Sequence, residues 1–370
     1  MLIRTTALMT LLCAIGVWAA AQSEPKPEQK SATKAITPKG PSLKNPVAGH
    51  LVRVQTITTP SEVAQVFFPP LRCDSDGNYY FPTEVVGAPV IHKLNPRGQK
   101  VASFRPDANP DLKVDLAAWY ALDPGTGELY QLVDPHVLDR YVYVYKSDGT
   151  LKSTIKLQTG FPFFPNRLAI FPSGQFLVAG DEYDADRTAA MWPFTGIFAP
   201  DGRLLKELEL EDDQTLHDMA ASGDARVVSP TNSQSNLAID YGLLEMGTDG
   251  NAYLVRWGNP AIFYTISAGG QVVRRFTVDA GESGYRPAGF HITGNRIAIL
   301  FWDRESADEV MKIVDLEGHD IATYEAPKGA YGGDTGLGSS FACYTENPTR
   351  FTFLGADDNR RVQFWIAEPR

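Results

Sequence analysis

Cysteine is scarce in this chain: three in 370 residues, Cys13, Cys73 and Cys343. Cys13 falls in an N-terminal leader, which leaves one pair, enough for a single disulfide and too few for a four-thiol zinc site. Positive charge is also in deficit. Lys and Arg total 34 against 44 Asp and Glu, a net of −10. Setting aside the leader (Arg4) and a basic segment at 22–48 (five Lys, two Glu) leaves a body of about −14, which excludes general nucleic-acid binding. Beyond residue 21 no apolar run reaches the roughly 20 residues that a membrane span needs. No G-x-S-x-G, H-E-x-x-H, C-x-x-C or P-loop is present, so the common signatures of serine hydrolases, zinc proteases, thiol-redox proteins and nucleotide-binding folds are missing. The glycine-rich GGDTGLGSS (332–340) precedes no helical pattern and reads as a loop.

What is present begins with MLIRTTALMTLLCAIGVWAAAQS: Arg4, an apolar run and small residues at Ala19 and Ala21. This pattern predicts a secretory signal peptide over residues 1–21, cleaved after Ala21, and hence a periplasmic or secreted protein. Residues 22–48 are rich in Pro, Lys, Ser and Gln and have few large apolar groups, so a disordered linker is expected there.

The rest repeats. Turns centred on glycine fall at Gly77, Gly127, Gly174, Gly250 and Gly294, with a last one near Asn347. A second series interleaves at Gly98, Gly149, Gly202, Gly270 and Gly318, ending near Asp358. Each turn separates two apolar or alternating segments, the signal of a hairpin. One unit therefore holds two hairpins and four strands and recurs about every fifty residues, with one step of 76 that contains an insertion at about 211–240. A four-stranded sheet with two apolar faces is buried by stacking on its neighbours around an axis, which predicts a β-propeller over 49–370. The sixth unit ends one strand short, and residues 50–58 (HLVRVQTIT) alternate as its missing strand would, so an N-terminal strand closing the C-terminal blade is expected.

The unit strand–DGN–strand–loop–strand–DG–strand resembles the NHL-repeat and TolB-like propellers. The resemblance implies an all-β, six-bladed β-propeller with four-stranded antiparallel blades. Propellers of this class include binding scaffolds, lyases, lactonases and other hydrolases, so no single activity is implied.

Uncommon side chains gather in the middle loops and blade links, at the end opposite the tight turns. The candidates for a ligand site near the channel mouth are His136, Asp181, Asp184, Arg187, Arg256, Trp257, Arg286, Trp302, Asp303 and Arg304. In DPHVLDR, His136 lies between two carboxylates as an oriented base or metal ligand would, or as a surface histidine does. GDEYDADR could hold Ca²⁺ through carboxylate oxygens or be a solvated acidic loop; no other cofactor is evident. His291 falls on an inner strand and so would line the channel. Closure brings Cys73 and Cys343 onto neighbouring inner strands, where a disulfide could staple the seam. The leading expectation is a monomeric exported propeller that binds a protein partner or small ligand on its loop-rich face. A lyase or hydrolase with a polar, metal-assisted site at the channel mouth, and a structural component of a cell-envelope complex, are the alternatives.

Overall fold

The hairpins rest on a shared piece of chemistry. At the first turn Asp74 Oδ1 accepts the N–H groups of Asp76 (3.0 Å) and Asn78 (2.9 Å). Asn95 does the same for Arg97 and Gln99, and Asp315 for Glu317 and His319. An Asx side chain thus mimics a backbone turn, and a glycine at positive φ completes it. All ten glycines of the two series adopt positive φ.

The computed structural model describes residues 47–60, 70–83, 89–135, 139–183, 190–210, 242–256, 260–281, 285–303, 306, 308–326, 341–356 and 362–370. The chain divides into Met1–Lys34, which lies outside the described residues, and Ala35–Arg370, described from Val47 onward. The expected signal peptide, nearly all of the linker and the insertion at 211–240 fall outside as well.

After β1 (Val47–Thr58), antiparallel strands follow in fours. The first set is β2 (Arg72–Cys73), β3 (Tyr79–Thr83), β4 (Val90–Leu94) and β5 (Lys100–Phe104). The second is β6 (Val114–Leu122), β7 (Leu129–Pro135), β8 (Arg140–Tyr145) and β9 (Leu151–Leu157). The third is β10 (Phe163–Ile170), β11 (Phe176–Tyr183), β12 (Ala190–Phe198) and β13 (Leu204–Glu207). The fourth is β14 (Leu243–Met246), β15 (Ala252–Arg256), β16 (Ala261–Ile266) and β17 (Val272–Val278). These form four separate sheets. The remainder is β18 (Tyr285–Thr293), β19 (Arg296–Asp303), β20 (Glu309–Asp315), β21 (Asp320–Ala326), β22 (Phe341–Glu346), β23 (Thr349–Ala356) and β24 (Val362–Pro369). With β1 they form one eight-stranded sheet, in the order β18-β19-β20-β21-β1-β24-β23-β22. The arrangement is all-β and propeller-like. Six separate blades, the sequence expectation, are not what the sheet pairing gives.

The cause is β1. From Leu51 to Thr58 it runs antiparallel to β24, Leu51 opposite Pro369 and Thr58 opposite Gln363. That is the pairing expected of residues 50–58. The strand starts earlier than expected, however, and Val47–His50 pairs in parallel with β21, which joins two sets into one sheet. These first residues are mostly exposed and are held by backbone bonds, so no hydrophobic alternation announced them. A bulge between Arg53 and Gln55 reverses the side-chain alternation. Leu51 and Ile57, six apart, consequently enter core clusters on opposite faces of the sheet.

Central strands are buried on both faces and divide their residues by parity. Phe176 and Val178 of β11 pack toward the second set, Leu177 and Ala179 toward the fourth. Ile297, Ile299 and Phe301 of β19 pack toward the fourth set, Ala298 and Leu300 toward β22–β24. Further clusters join the first set to the second, and β22–β24 back to the first.

Candidate functional site

The first strand of each set lies on the inside. Neighbouring inner strands touch in succession: β6 with β10, β10 with β14, β14 with β18, β18 with β22, and β22 with β2. Arg72 joins β2 to β6 by donating from Nε to the Tyr120 carbonyl (3.1 Å). It also reaches across the axis, donating from Nη2 to the Leu244 carbonyl on β14 (2.9 Å). Residues far apart in sequence meet there. Arg72 Nη1 lies 3.8 Å from Glu245 Oε2, and Glu245 Oε1 lies 3.8 Å from His291 Nε2. Cys73 Sγ is 3.7 Å from the same nitrogen.

The repeat places these groups. Arg72 and Glu245 each stand two residues ahead of the residue that opens their turn, Asp74 and Gly247, whose N–H groups close the hairpins onto Asn78 and Asn251. His291 stands two residues ahead of Thr293, the last residue of β18. The cluster therefore sits toward the tight-turn ends of the inner strands, about 7 Å of strand from the turns.

The backbone N–H of Tyr344 donates to His291 Nδ1 (3.2 Å). In the neutral ring the proton is then on Nε2, facing Glu245 and Cys73. Burial lowers the His291 pKa from 6.5 to about 4, with the positive charge of Arg72 adding to the effect. Burial raises the Glu245 carboxyl to about 7, against the opposing pull of Arg72 and a backbone hydrogen bond from Ile292. The side chains of Arg72, Glu245 and His291 keep 11%, 15% and 14% of their surface, so the cluster is enclosed but not sealed. The indole of Trp119 flanks it, with the Arg167 guanidinium carbon 4.0 Å and that of Arg72 5.4 Å from its ring centre. Arg167 is anchored by donating from Nε to the Gly242 carbonyl (2.7 Å). Such an arrangement can hold an anion or move a proton between two bases of opposite shift.

Cys73 and Cys343 lie on β2 and β22, with Cα atoms 5.9 Å apart and their sulfurs at bonding distance.

Of the sequence-derived candidates, His136, Asp184, Arg187, Trp257 and Arg304 lie outside the described residues, as does the second half (184–187) of the acidic run weighed for Ca²⁺. Asp181 is buried at the far end of β11 and accepts a hydrogen bond from Asn166 Nδ2 (3.0 Å). Arg256 is buried at the end of β15. Arg286, Trp302 and Asp303 come together on two paired strands, Arg286 opposite Trp302 and Tyr285 opposite Asp303. Glu309 faces Trp302 from the other side, its carboxyl raised to about 7 by burial. Sequence reasoning picked out His291 as a channel residue and missed Arg72 and Glu245. The signal available was an ionisable residue at the same offset ahead of the turn in an otherwise apolar inner strand, as in PLRCD and LLEMG. Among the described residues one further group could hold a metal, Asp315, Glu317 and His319, with ligand atoms within 4.8 Å of one another. These are residues of the β20–β21 turn, and the turn geometry itself accounts for Asp315 and His319.

No family model and no curated protein matches the chain. Solved structures do. A Bacteroides fragilis protein whose export is inferred superposes with a TM-score of 0.52 at 8% identity, over 88% of this chain and 99% of the other. A Bacteroides thetaiotaomicron protein of unknown function gives 0.50 at 11%, over 86% and 76%. Regucalcin from Agrobacterium tumefaciens, a calcium-binding protein, gives 0.48 at 14%, over 88% and 97%. At these identities the likeness is one of fold. No helix among the described residues is long and apolar enough to cross a membrane.

Proposed function

We propose that the chain is an exported six-bladed propeller of the NHL- and TolB-like kind that binds a small ligand in its axis. The eight-stranded sheet is read as two blades fused through β1. Supporting this are the core clusters, which link six strand sets in a circle, and the succession of six inner strands. Export rests on the leader pattern at residues 1–21.

The observation that carries the binding reading is the convergence of Arg72, Glu245 and His291 from three inner strands, enclosed yet still partly accessible. Ionisable groups are costly to bury in a core unless paired, and their contacts of 3.8 Å are longer than hydrogen bonds. Fixed convergent polar groups in a mostly apolar surround are what a small-molecule site requires. This moves the proposed site from the loop-rich mouth to the axis, and the middle-loop candidates become contributors to entry. A second reading, a lyase or hydrolase, is favoured by one fact: the carboxyl and the imidazole are shifted in opposite directions, the pattern of an acid–base pair.

A thermal-shift screen of small metabolites on the mature protein tests the binding reading, run in parallel on a variant carrying Arg72→Gln and Glu245→Gln. A ligand at a hundred times its Kd stabilises by about 2.7 kcal/mol, or roughly 2–4 °C in a protein of this size. Ligands that shift the wild type and not the variant are expected. Shifts that survive in the variant would return the site to the loops.

A further inference from the structure

Arg72 and Cys73 are the whole of β2, the shortest of the inner strands among the described residues. Two ladder pairs hold it to β3, Arg72 opposite Tyr80 and Cys73 opposite Tyr79. Successive side chains of a strand point to opposite sides, and here each reaches a different neighbour. Arg72 ties β2 to β6 through the Tyr120 carbonyl, and Cys73 ties it to β22 through the sulfur of Cys343. The His291 ring lies beside the second tie. Its Nδ1 accepts from Tyr344, the residue after Cys343, and its Nε2 faces the Cys73 sulfur at 3.7 Å. One half-cystine therefore adjoins the residue that holds Nδ1, and the other touches Nε2 and adjoins Arg72. The seam has supports of its own. β1 pairs with β24 from Leu51 to Thr58, and Tyr79, Phe81 and Leu94 pack with Phe364 and Ile366, Tyr79 stacking on Phe364 at 4.3 Å between ring centres.

We propose that the Cys73–Cys343 disulfide is a strap for the axial cluster: the bond fixes β2 against β22, and with it Arg72 and the Nε2 side of His291, and reduction releases them while the ring of strand sets stays closed. This deepens the reading above and rests on it for the consequence, that the axis holds its ligand in the oxidised protein and loses it on reduction. A phosphine or dithiol reductant breaks the S–S bond. With a phosphine, two electrons pass from phosphorus to the sulfurs, and water supplies the two protons and gives its oxygen to the phosphine, leaving two thiols. The groups facing His291 are Arg72 and Cys73 from β2, Glu245 from β14 and the Tyr344 N–H from β22; its cross-strand partner on β19 is Ala298. Burial and the charge of Arg72 hold the ring at about 4. Release admits water and frees Arg72 to move, and both changes raise it toward 6.5.

The test is ¹⁵N NMR of the histidine rings of the mature protein from pH 3.5 to pH 8, with and without tris(2-carboxyethyl)phosphine. His291 is assigned by its loss in His291→Gln, and a variant carrying Cys73→Ala and Cys343→Ala is run alongside. Reduction, or the double substitution, is expected to move the His291 midpoint upward by about one pH unit or more. The ring signals of His319, on the β20–β21 turn, should stay in place, which a general loosening of the fold would not allow. The amide spectrum should remain dispersed with a cooperative melt at a lower temperature, and the phosphine should change nothing in the double variant. Free thiols before reductant is added, a His291 midpoint indifferent to both treatments, or outright unfolding of both the reduced protein and the double variant would each overturn the proposal, the last by making the bond a closure of the ring. If the screen above finds no variant-sensitive ligand while His291 moves on reduction, the strap stands and the binding reading falls. If the screen succeeds and His291 does not move, axial binding stands and the strap falls.

Discussion

Glu245 and His291 carry most of the site's chemistry, and their shifts oppose each other. The folded Glu245 titrates near 7 against 4.5 for a free glutamate, so its contribution to stability is full in acid and is lost as pH rises toward 7. The folded His291 titrates near 4 against 6.5, so its contribution is full above 6.5 and is lost as pH falls toward 4. Between these values the folded chain keeps its proton on Glu245 and the unfolded chain keeps it on His291, and the two slopes cancel. The variants should uncouple them. Relative to wild type, Glu245→Gln should become more stable as pH rises from 5 to 6.5, and His291→Gln less stable, each approaching about 1.4 kcal/mol per pH unit. Urea midpoints at the two pH values measure this; variant curves parallel to wild type would contradict it. At this scale the sequence was only partly legible. His291 stood out as a polar residue on an inner strand. Arg72 and Glu245 are 173 positions apart and acquire meaning only when β2 and β14 face each other across the axis. The middle-loop candidates stood out because they are charged and exposed in sequence context, which is equally true of any solvated loop.

Elements were the most legible level, because turn chemistry is local. The hairpin at 199–204 is an example. Gly202 donates its N–H to the Ala199 carbonyl (2.9 Å) at φ 86°, and its own carbonyl accepts from Gln158 N–H (2.8 Å) in the link after β9. The hairpin tip thereby docks on the preceding sheet, and a Cβ at Gly202 would collide with the Lys156 carbonyl oxygen. Gly202→Ala should therefore cost about 1–3 kcal/mol and lower the melting temperature by several degrees, whereas an unchanged transition would show that this contact contributes nothing. Strand β1 tests a different link. Its antiparallel half was readable from the alternation of HLVRVQTIT, and its parallel half was not, since VAGH has no apolar period to read. Only Leu51 and Ile57 of the strand are buried. Leu51→Ala should cost about 2–5 kcal/mol, as other large-to-small core changes do. Removing Val47–Gly49 alone should be mild, because it leaves the β24 pairing intact. Loss of the folded state on that smaller deletion would make the parallel seam the dominant join.

For the whole molecule the question is how the circle closes. A repeat period can be read from sequence, but sheet continuity depends on which edges touch, and β1 merges two strand sets that the repeat alone keeps apart. Cys73 and Cys343 sit at the same seam, 270 residues apart in sequence. A bond there would close a very long loop and could stabilise by up to about 5 kcal/mol. The mature protein, denatured without reductant, is expected to show no free thiol on titration; two per chain would remove the staple. The same closure brings Arg72, Glu245 and His291 into one place, so fold and site depend on one another. A crystal structure of the mature protein with the strongest variant-sensitive ligand of the thermal screen tests this most directly. The ligand should lie in the axis, within hydrogen-bond distance of Arg72 and Glu245 and against the Trp119 indole. Density for it on the middle loops, with the axial side chains unmoved and in direct contact with one another, would contradict the axial site.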